Sequence, residues 1–199
     1  MPNPHAPTMR LLGGLKGIEI GKSLNNDFGL DALNVCPKEF ENSESDNTPV
    51  DIYAYGDDIP ALPDSSVDFV FSSHVVEHLP NLIKAMKEWY RVVRPGGYIV
   101  MIVPQRDARV LDRGKPLTTY DEIIDDYDKD MTVDTHPFDS ETNYRGGHYH
   151  IFNIISLMFI IQNIKEDFGI DLEMVGSENP DSRFGNGFWL AYKSHKRAK

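Results

Sequence analysis

The stretch LPDSSVDFVFSSHVVEHLPNLIKAMKEWYRVVRPGGYIVMIVP, residues 62–104, decides the fold. It opens with a Leu62-Pro63 turn and runs into Val67–Ser72, an apolar segment bounded by polar turn residues, which predicts a strand. Leu79, Leu82, Ile83, Met86 and Val93 then recur at helical spacing, with Lys84, Lys87, Glu88, Arg91 and Arg94 mostly on the other face. That pattern predicts a helix over residues 81–93, with Pro80 suited to its first turn and Pro95-Gly96-Gly97 as its stop. Tyr98–Val103 is a second apolar strand. A strand, a helical crossover and a second strand form a right-handed unit with the strands parallel.

Working outward, Gly17–Ile20, Ala32–Val35 and Val50–Tyr55 are further strand candidates on the N-terminal side. All five strands are continuously apolar rather than alternating, as in parallel sheets covered on both faces. Lys22–Asp31 is short for a parallel crossover, and Pro37–Pro49 is polar and loop-like. The expectation is an α/β sheet with reduced helices on one face. On the C-terminal side, residues 105–150 hold few apolar groups and predict an insertion or lid. A helix over residues 152–168, apolar around most of its girth, is either wedged against the insertion or shared with a second copy in a homodimer. Leu172–Val175 and Phe188–Tyr192 predict an antiparallel pair joined by the Phe184–Phe188 turn. Residues 1–15, with three prolines and two adjacent glycines, read as a lead-in arm.

Composition narrows the function classes. At 199 residues, 40% hydrophobic and 26% charged, the chain is one globular domain of cytosolic, cytoplasmic type. Cys36 is the one cysteine, which excludes an internal disulfide and an all-cysteine metal site. No basic-then-apolar secretory leader is apparent, and the apolar window at 151–164 is too short to span a bilayer. The net charge of −11 disfavours a nucleic-acid partner. The acidic run Asp121–Asp134 lacks the glycine and terminal glutamate of a calcium loop and reads as a solvated stretch.

Open α/β sheets bind ligands beyond the carboxyl ends of their strands. Glu19-Ile-Gly21-Lys-Ser23 follows the first strand, Tyr55-Gly56-Asp57 the third, and Ser72-Ser73-His74 the fourth. Gly21 and Gly56 permit close backbone approach. Residues 62–104 resemble the central part of class I S-adenosylmethionine-dependent methyltransferases. The resemblance rests on Leu62-Pro63, Asp68, Glu77-His78-Leu79 and Arg91-Val-Val-Arg-Pro95-Gly96-Gly97, with Gly17-Ile-Glu19-Ile-Gly21 similar to that family's first motif. It implies a single Rossmann-like domain over 1–199: a mostly parallel seven-stranded sheet with an antiparallel last strand. It also implies S-adenosylmethionine as cofactor. Glu19, Gly21 and Ser23 would border its methionine end, with Ser72, Ser73 and His74 lining the same end or the substrate entrance. Gly56 and Asp57 would lie beside the adenine, and Cys36 and Tyr55 occupy the ribose and adenine-amine positions. The chain departs from the family where Gly21-Lys-Ser23-Leu-Asn25 replaces a full glycine motif. It departs again at Cys36, which replaces the ribose-gripping acid, and at Tyr55, which replaces an adenine-capping Asp. Glu39, Glu41 or Asp51 could supply the missing carboxylate.

Methyl transfer is an in-line displacement that needs positioning and, for a protonated nucleophile, a base tuned near neutral pH. His136, His148 and His150 are the candidate catalytic residues, with His150 or His136 foremost as base and Asp107, Asp112 and Asp134 as partners. Gln105, Arg106, Asp107 and Arg113 are the candidate acceptor-binding residues, with Arg109 beside them. The implied acceptor is a small or sugar-like molecule; the rival reading is a non-catalytic binding or assembly module. His74-Val-Val-Glu77-His78 also fits an inverted zinc-peptidase motif. Such a site needs both histidines on one helix, which Pro80 opposes, so no metal is expected and Glu77 and His78 read as structural.

Overall fold

The computed structural model describes residues 5–21, 28–38, 49–136 and 148–197. Seven strands form one sheet: β1 (Lys16–Ile20), β2 (Asp31–Cys36), β3 (Ile52–Tyr53), β4 (Val67–Ser73), β5 (Val93–Pro104), β6 (Leu172–Glu178) and β7 (Gly187–Ser194). Their spatial order is β3-β2-β1-β4-β5-β7-β6. The first five run parallel, and β7 pairs antiparallel with both β5 and β6. This is the expected mostly parallel sheet with an antiparallel end. The order reverses between β1 and β4, so the switch point where such sheets hold ligands lies at their carboxyl ends.

Side-chain alternation sorts the sheet into two cores. Ile99, Met101 and Val103 of β5 and Phe188, Leu190 and Tyr192 of β7 face one layer. That layer contains α2 (Leu82–Val92), α3 (Tyr120–Asp128) and α4 (Ile154–Phe168). Phe69, Phe71, Val100, Ile102, Trp189 and Ala191 face the other, covered by Leu11 and Leu12 of α1 (Ala6–Leu12). Helices are thus thin on one face, as the short β1–β2 and polar β2–β3 connections imply. The described residues between β1 and β3 carry no α-helix.

Local departures from the sequence reading have definite causes. Helix α1 lies within the segment read as an arm; His5 caps it, accepting from the Thr8 N–H, and its other ring nitrogen reaches Glu178 of β6 at 2.8 Å. Helix α3 occupies the run read as solvated. Thr119 and Glu122 form a reciprocal capping box there, and Ile123 is fully buried. Helix α2 starts at the Asn81 cap, which accepts from the Lys84 N–H, and ends at Val92, three residues before Pro95, because Arg94 preceding a proline is driven from the α region. Helix α4 begins at a second capping box, Asn153 with Ser156, and ends at left-handed Gly169. Its Leu157, Ile160, Ile161 and Ile164 are buried, while Ile155 and Phe159 are exposed.

The residues 62–104 are also stitched to their own flank. Trp89, fully buried, donates its indole N–H to the Gly56 carbonyl at 2.7 Å. Glu88 accepts from the Ile59 N–H, and Arg91 donates to Glu88, Asp64 and the carbonyls of Leu62 and Ile59. Arg94 pairs with Asp68 at 3.0 Å. The helix therefore fixes the turn that leads into β4 and the loop that follows β3.

Candidate active site

The carboxyl ends of β1, β3 and β4 converge. Gly21 closes β1 with φ of +74°, donating its N–H to the Val35 carbonyl at 2.9 Å. A Cβ there would stand 2.7 Å from a methyl of Val75, so the turn after β4 lies directly against the turn after β1. A Cβ on Gly56 would stand 2.8 Å from Ile20 and 3.2 Å from Leu79. The chain's own packing demands glycine at both positions. His74 leaves β4 with φ of +54° and donates its N–H to the Ile102 carbonyl, and its ring meets Phe184 at 5.3 Å. Burial lowers its pKa, opposed by Asp181.

Around this rim the sequence-predicted cofactor residues assemble. Glu19 is half-buried on β1, between Asn34 and Phe71 of its neighbours. Ser72 and Ser73 are buried, and neither hydroxyl has a hydrogen-bond partner among the described residues. Asp57 is raised chiefly by burial, with Lys84 at 3.8 Å opposing. Tyr55 is partly exposed and bridges to Asp58. Cys36 is buried at the end of β2 and brings no carboxylate. Asp51 accepts the Asn34 N–H at 2.8 Å and so serves the β2 backbone. Ser23, Glu39 and Glu41 lie outside the described residues. The unpartnered serine hydroxyls are the groups a cofactor's polar tail would satisfy; a ribose diol finds no acid at Cys36.

The three histidines of the insertion divide into two groups: His148 stands beside Glu77, which the sequence reading had set aside, and His136 and His150 stand beside Asp126. Glu77 lies in a single 3-10 turn, Val76–His78, rather than in a helix. It is 1% exposed, and neither carboxylate oxygen has a hydrogen-bond partner among the described residues. Burial pushes its pKa up to about 8, against its own backbone N–H and Arg109. Its Oε1 stands 3.8 Å from His148 Nε2, 3.7 Å from His78 Nε2 and 3.8 Å from His74 Nδ1. His148 donates from Nδ1 to Asp112 at 2.7 Å. Asp126 of α3 stands 3.5 Å from His136 Nε2 and 3.9 Å from His150 Nε2. The backbone N–H groups of Tyr149 and His150 both donate to the Glu77 carbonyl, which straps the exit of the insertion to the turn after β4.

The tuning differs from expectation. Burial, reinforced by His78, depresses His148 to about 3, and burial depresses His150 to about 4 against Asp126. Both are neutral at pH 7, weaker bases than the near-neutral tuning expected of them. Asp112 partners His148 as anticipated, whereas Asp107 pairs with Arg106 at 3.4 Å in solvent. Gln105 turns away to Asn179 at 2.6 Å, and Arg113 is exposed. Half-buried Arg109 is the arginine whose charge acts on Glu77 and His148. Sequence reasoning passed over Glu77, His78 and Asp126. The Glu77-His78 pair next to a strand end was a signal that it had read as structural.

Comparison with known proteins agrees with this geometry. Residues 22–101 match the family described as Methyltransferase domain. The chain is 39% identical over 59 residues to a Mycolicibacterium smegmatis protein named "Probable S-adenosylmethionine-dependent methyltransferase", spanning 30% of this chain and 23% of that one. It is 50% identical over 52 residues to the malonyl-[acyl-carrier protein] O-methyltransferase of Yersinia pestis, spanning 25% and 19%. The matches thus cover about a fifth to a quarter of those relatives. Among solved structures, a SAM-dependent methyltransferase of Methanosarcina mazei superposes with a TM-score of 0.59 at 15% identity, covering 98% of this chain and 99% of that one. Strand order and register give the chain the fold of class I S-adenosylmethionine-dependent methyltransferases, and residues 22–101 resemble that family's methyltransferase domain.

Proposed function

We propose that the chain transfers a methyl group from S-adenosylmethionine to a small-molecule or sugar-like acceptor. The observation that carries this reading is the pair of buried, unpartnered hydroxyls of Ser72 and Ser73 at the end of β4, beside the switch point. The cofactor would lie over the turns at Gly21 and Gly56, with Glu19 and His74 toward its methionine end and Asp57 toward its adenine. Bound there, it supplies an electrophilic sulfonium methyl. The chain's own residues position the acceptor and remove its proton.

His150 is our assignment for the base. It is neutral, its Nε2 is buried without a hydrogen-bond partner, and Asp126 at 3.9 Å would stabilise the imidazolium formed on proton uptake. His136 shares that carboxylate. Residues 105–150 would act as the acceptor lid, excluding water from the displacement. Calorimetric titration with S-adenosylmethionine and S-adenosylhomocysteine tests the reading: saturable binding of both is expected, and no heat from either up to about millimolar concentration would sink it. His150→Ala should then lower turnover by roughly 100-fold or more while cofactor affinity holds within a few-fold. Equal loss of both would contradict its placement.

A further inference from the structure

Three features around Glu77 make it more than a buried acid. Its carboxylate is sealed from water and hydrogen-bonded to nothing among the described residues. Two imidazole Nε2 atoms, of His78 and His148, stand 3.7 and 3.8 Å from the same oxygen, too far for hydrogen bonds. The ligand atoms of the three residues all lie within 4.8 Å of one another. Around a tetrahedral zinc with bonds near 2.0–2.1 Å, neighbouring ligand atoms stand roughly 3.3–3.4 Å apart, so the two Glu77–histidine distances need to close by a few tenths of an ångström to hold an ion.

The fourth feature is orientation. His148 Nδ1 is 2.7 Å from Asp112 Oδ2, and next to a carboxylate that nitrogen must donate. Its Nε2 therefore turns a lone pair toward Glu77. Two lone pairs facing one another away from water repel unless a proton or cation lies between them. A carboxylate fixing one imidazole nitrogen while the other faces an acid oxygen is the arrangement that outer-shell groups impose on metal-bound histidine. Arg109 and Lys115 bring positive charge nearby, and Asp112, 3.9 Å from Lys115, offsets part of it.

We infer that Glu77, His78 and His148 bind one divalent transition-metal ion of the zinc type, with Asp112 orienting His148 and a fourth position left for an oxygen ligand. Two imidazoles and one carboxylate suit zinc better than magnesium or calcium. The HVVEH sequence holds two of the three ligands, but not as the helical pair its spacing suggests. Val76–His78 is a 3-10 turn, and the third ligand arrives from the exit of the insertion. This inference goes beyond methyl transfer and is read without the cofactor.

The full chain, stripped with a chelator, would be titrated with zinc ion alone against a chromophoric chelator, and in parallel with cobalt(II). One zinc equivalent and the visible bands of four-coordinate cobalt are expected. Glu77→Gln and His148→Gln should weaken zinc by about 100-fold or more, and Asp112→Asn by about 10–100-fold. Asp126→Asn, which alters the neighbouring Asp126–His136–His150 group, should leave zinc affinity within about threefold. Circular dichroism reports folding. If either ligand variant is unfolded, the wild-type cobalt spectrum and Asp112→Asn still decide. No saturable zinc up to about 100 µM would overturn the proposal, as would octahedral cobalt or loss in Asp126→Asn with Glu77→Gln unaffected.

Discussion

Glu88 and Glu77 sit on the two sides of one crossover and have opposite fates. Burial pushes Glu88 up, but hydrogen bonds from Arg91 and the Ile59 N–H outweigh it, and its pKa falls below the ordinary value. At Glu77 burial wins, and the carboxyl ends near 8. The first belongs to a latch in which the polar groups named above are matched. The second belongs to a pocket in which polar groups are sealed and left unmatched. Buried polar groups are normally hydrogen-bonded, so the unmatched ones mark where the fold carries a cost that packing does not explain. Matched polar groups hold the sheet to its helix, and the unmatched ones gather around Glu77 and the strand ends.

The latch should break hardest at Trp89. Trp89→Ala empties a fully buried site and strips the Gly56 carbonyl of its donor. A loss of about 3–5 kcal/mol by urea denaturation is expected. A loss under about 1 kcal/mol would mean that the helix does not hold the β3–β4 connection.

The pocket should show itself through pH, measured on metal-free protein with a chelator present. Folded Glu77 keeps a proton that the unfolded chain has released above 4.5, so it contributes a loss of stability as pH rises toward 8. Folded His148 and His150 lack protons that the unfolded chain binds below 6.5, so they contribute a loss as pH falls. Between 4.5 and 6.5 the two histidines outweigh the one acid, and above 6.5 the acid acts alone. Stability from these three groups therefore peaks near pH 6.5 and falls by about 2 kcal/mol toward pH 8. Denaturation at pH 6.5 and 8 should show that decline in the wild type and not in Glu77→Gln. The same decline in both would remove Glu77 as its source.

Arg91→Gln gives the smallest effect, about 1–2 kcal/mol, because Arg91 and Asp64 are partly exposed and water replaces part of what is lost. Thermal melting with and without added salt checks it. Salt should narrow the gap between wild type and variant.

What the sequence made legible follows the same division. The strands of residues 62–104 and the antiparallel end were readable because apolar runs and helical spacing are local patterns. Helix α1 was hidden by prolines and glycines, although Pro7 falls in its first turn, where proline is tolerated. Helix α3 was hidden by its acidity, although Thr119-Tyr-Asp-Glu122 is a capping-box spelling. His136, His148 and His150 were expected as one group, whereas the fold divides them between Glu77 and Asp126, and of their carboxylate partners only Asp112 was found. Asp112 is near in sequence to the arginines already suspected, whereas Asp126 and Glu77 reach the histidines only through folding. The 3-10 turn at Val76–His78 also brings His78 against Glu77, which spacing alone could not reveal.

The carbonyl of Glu77, shared by the N–H groups of Tyr149 and His150, has a thermodynamic corollary. One peptide touches the β4 rim through its neighbour His74 and clasps the far end of the insertion through two hydrogen bonds. A ligand that shifts the turn after β4 must alter the free energy of holding residues 148–150 in place. By linkage, a ligand held by those residues must alter affinity at the rim by the same factor. Measured heats for one ligand, with and without the other, would give that factor directly from either side.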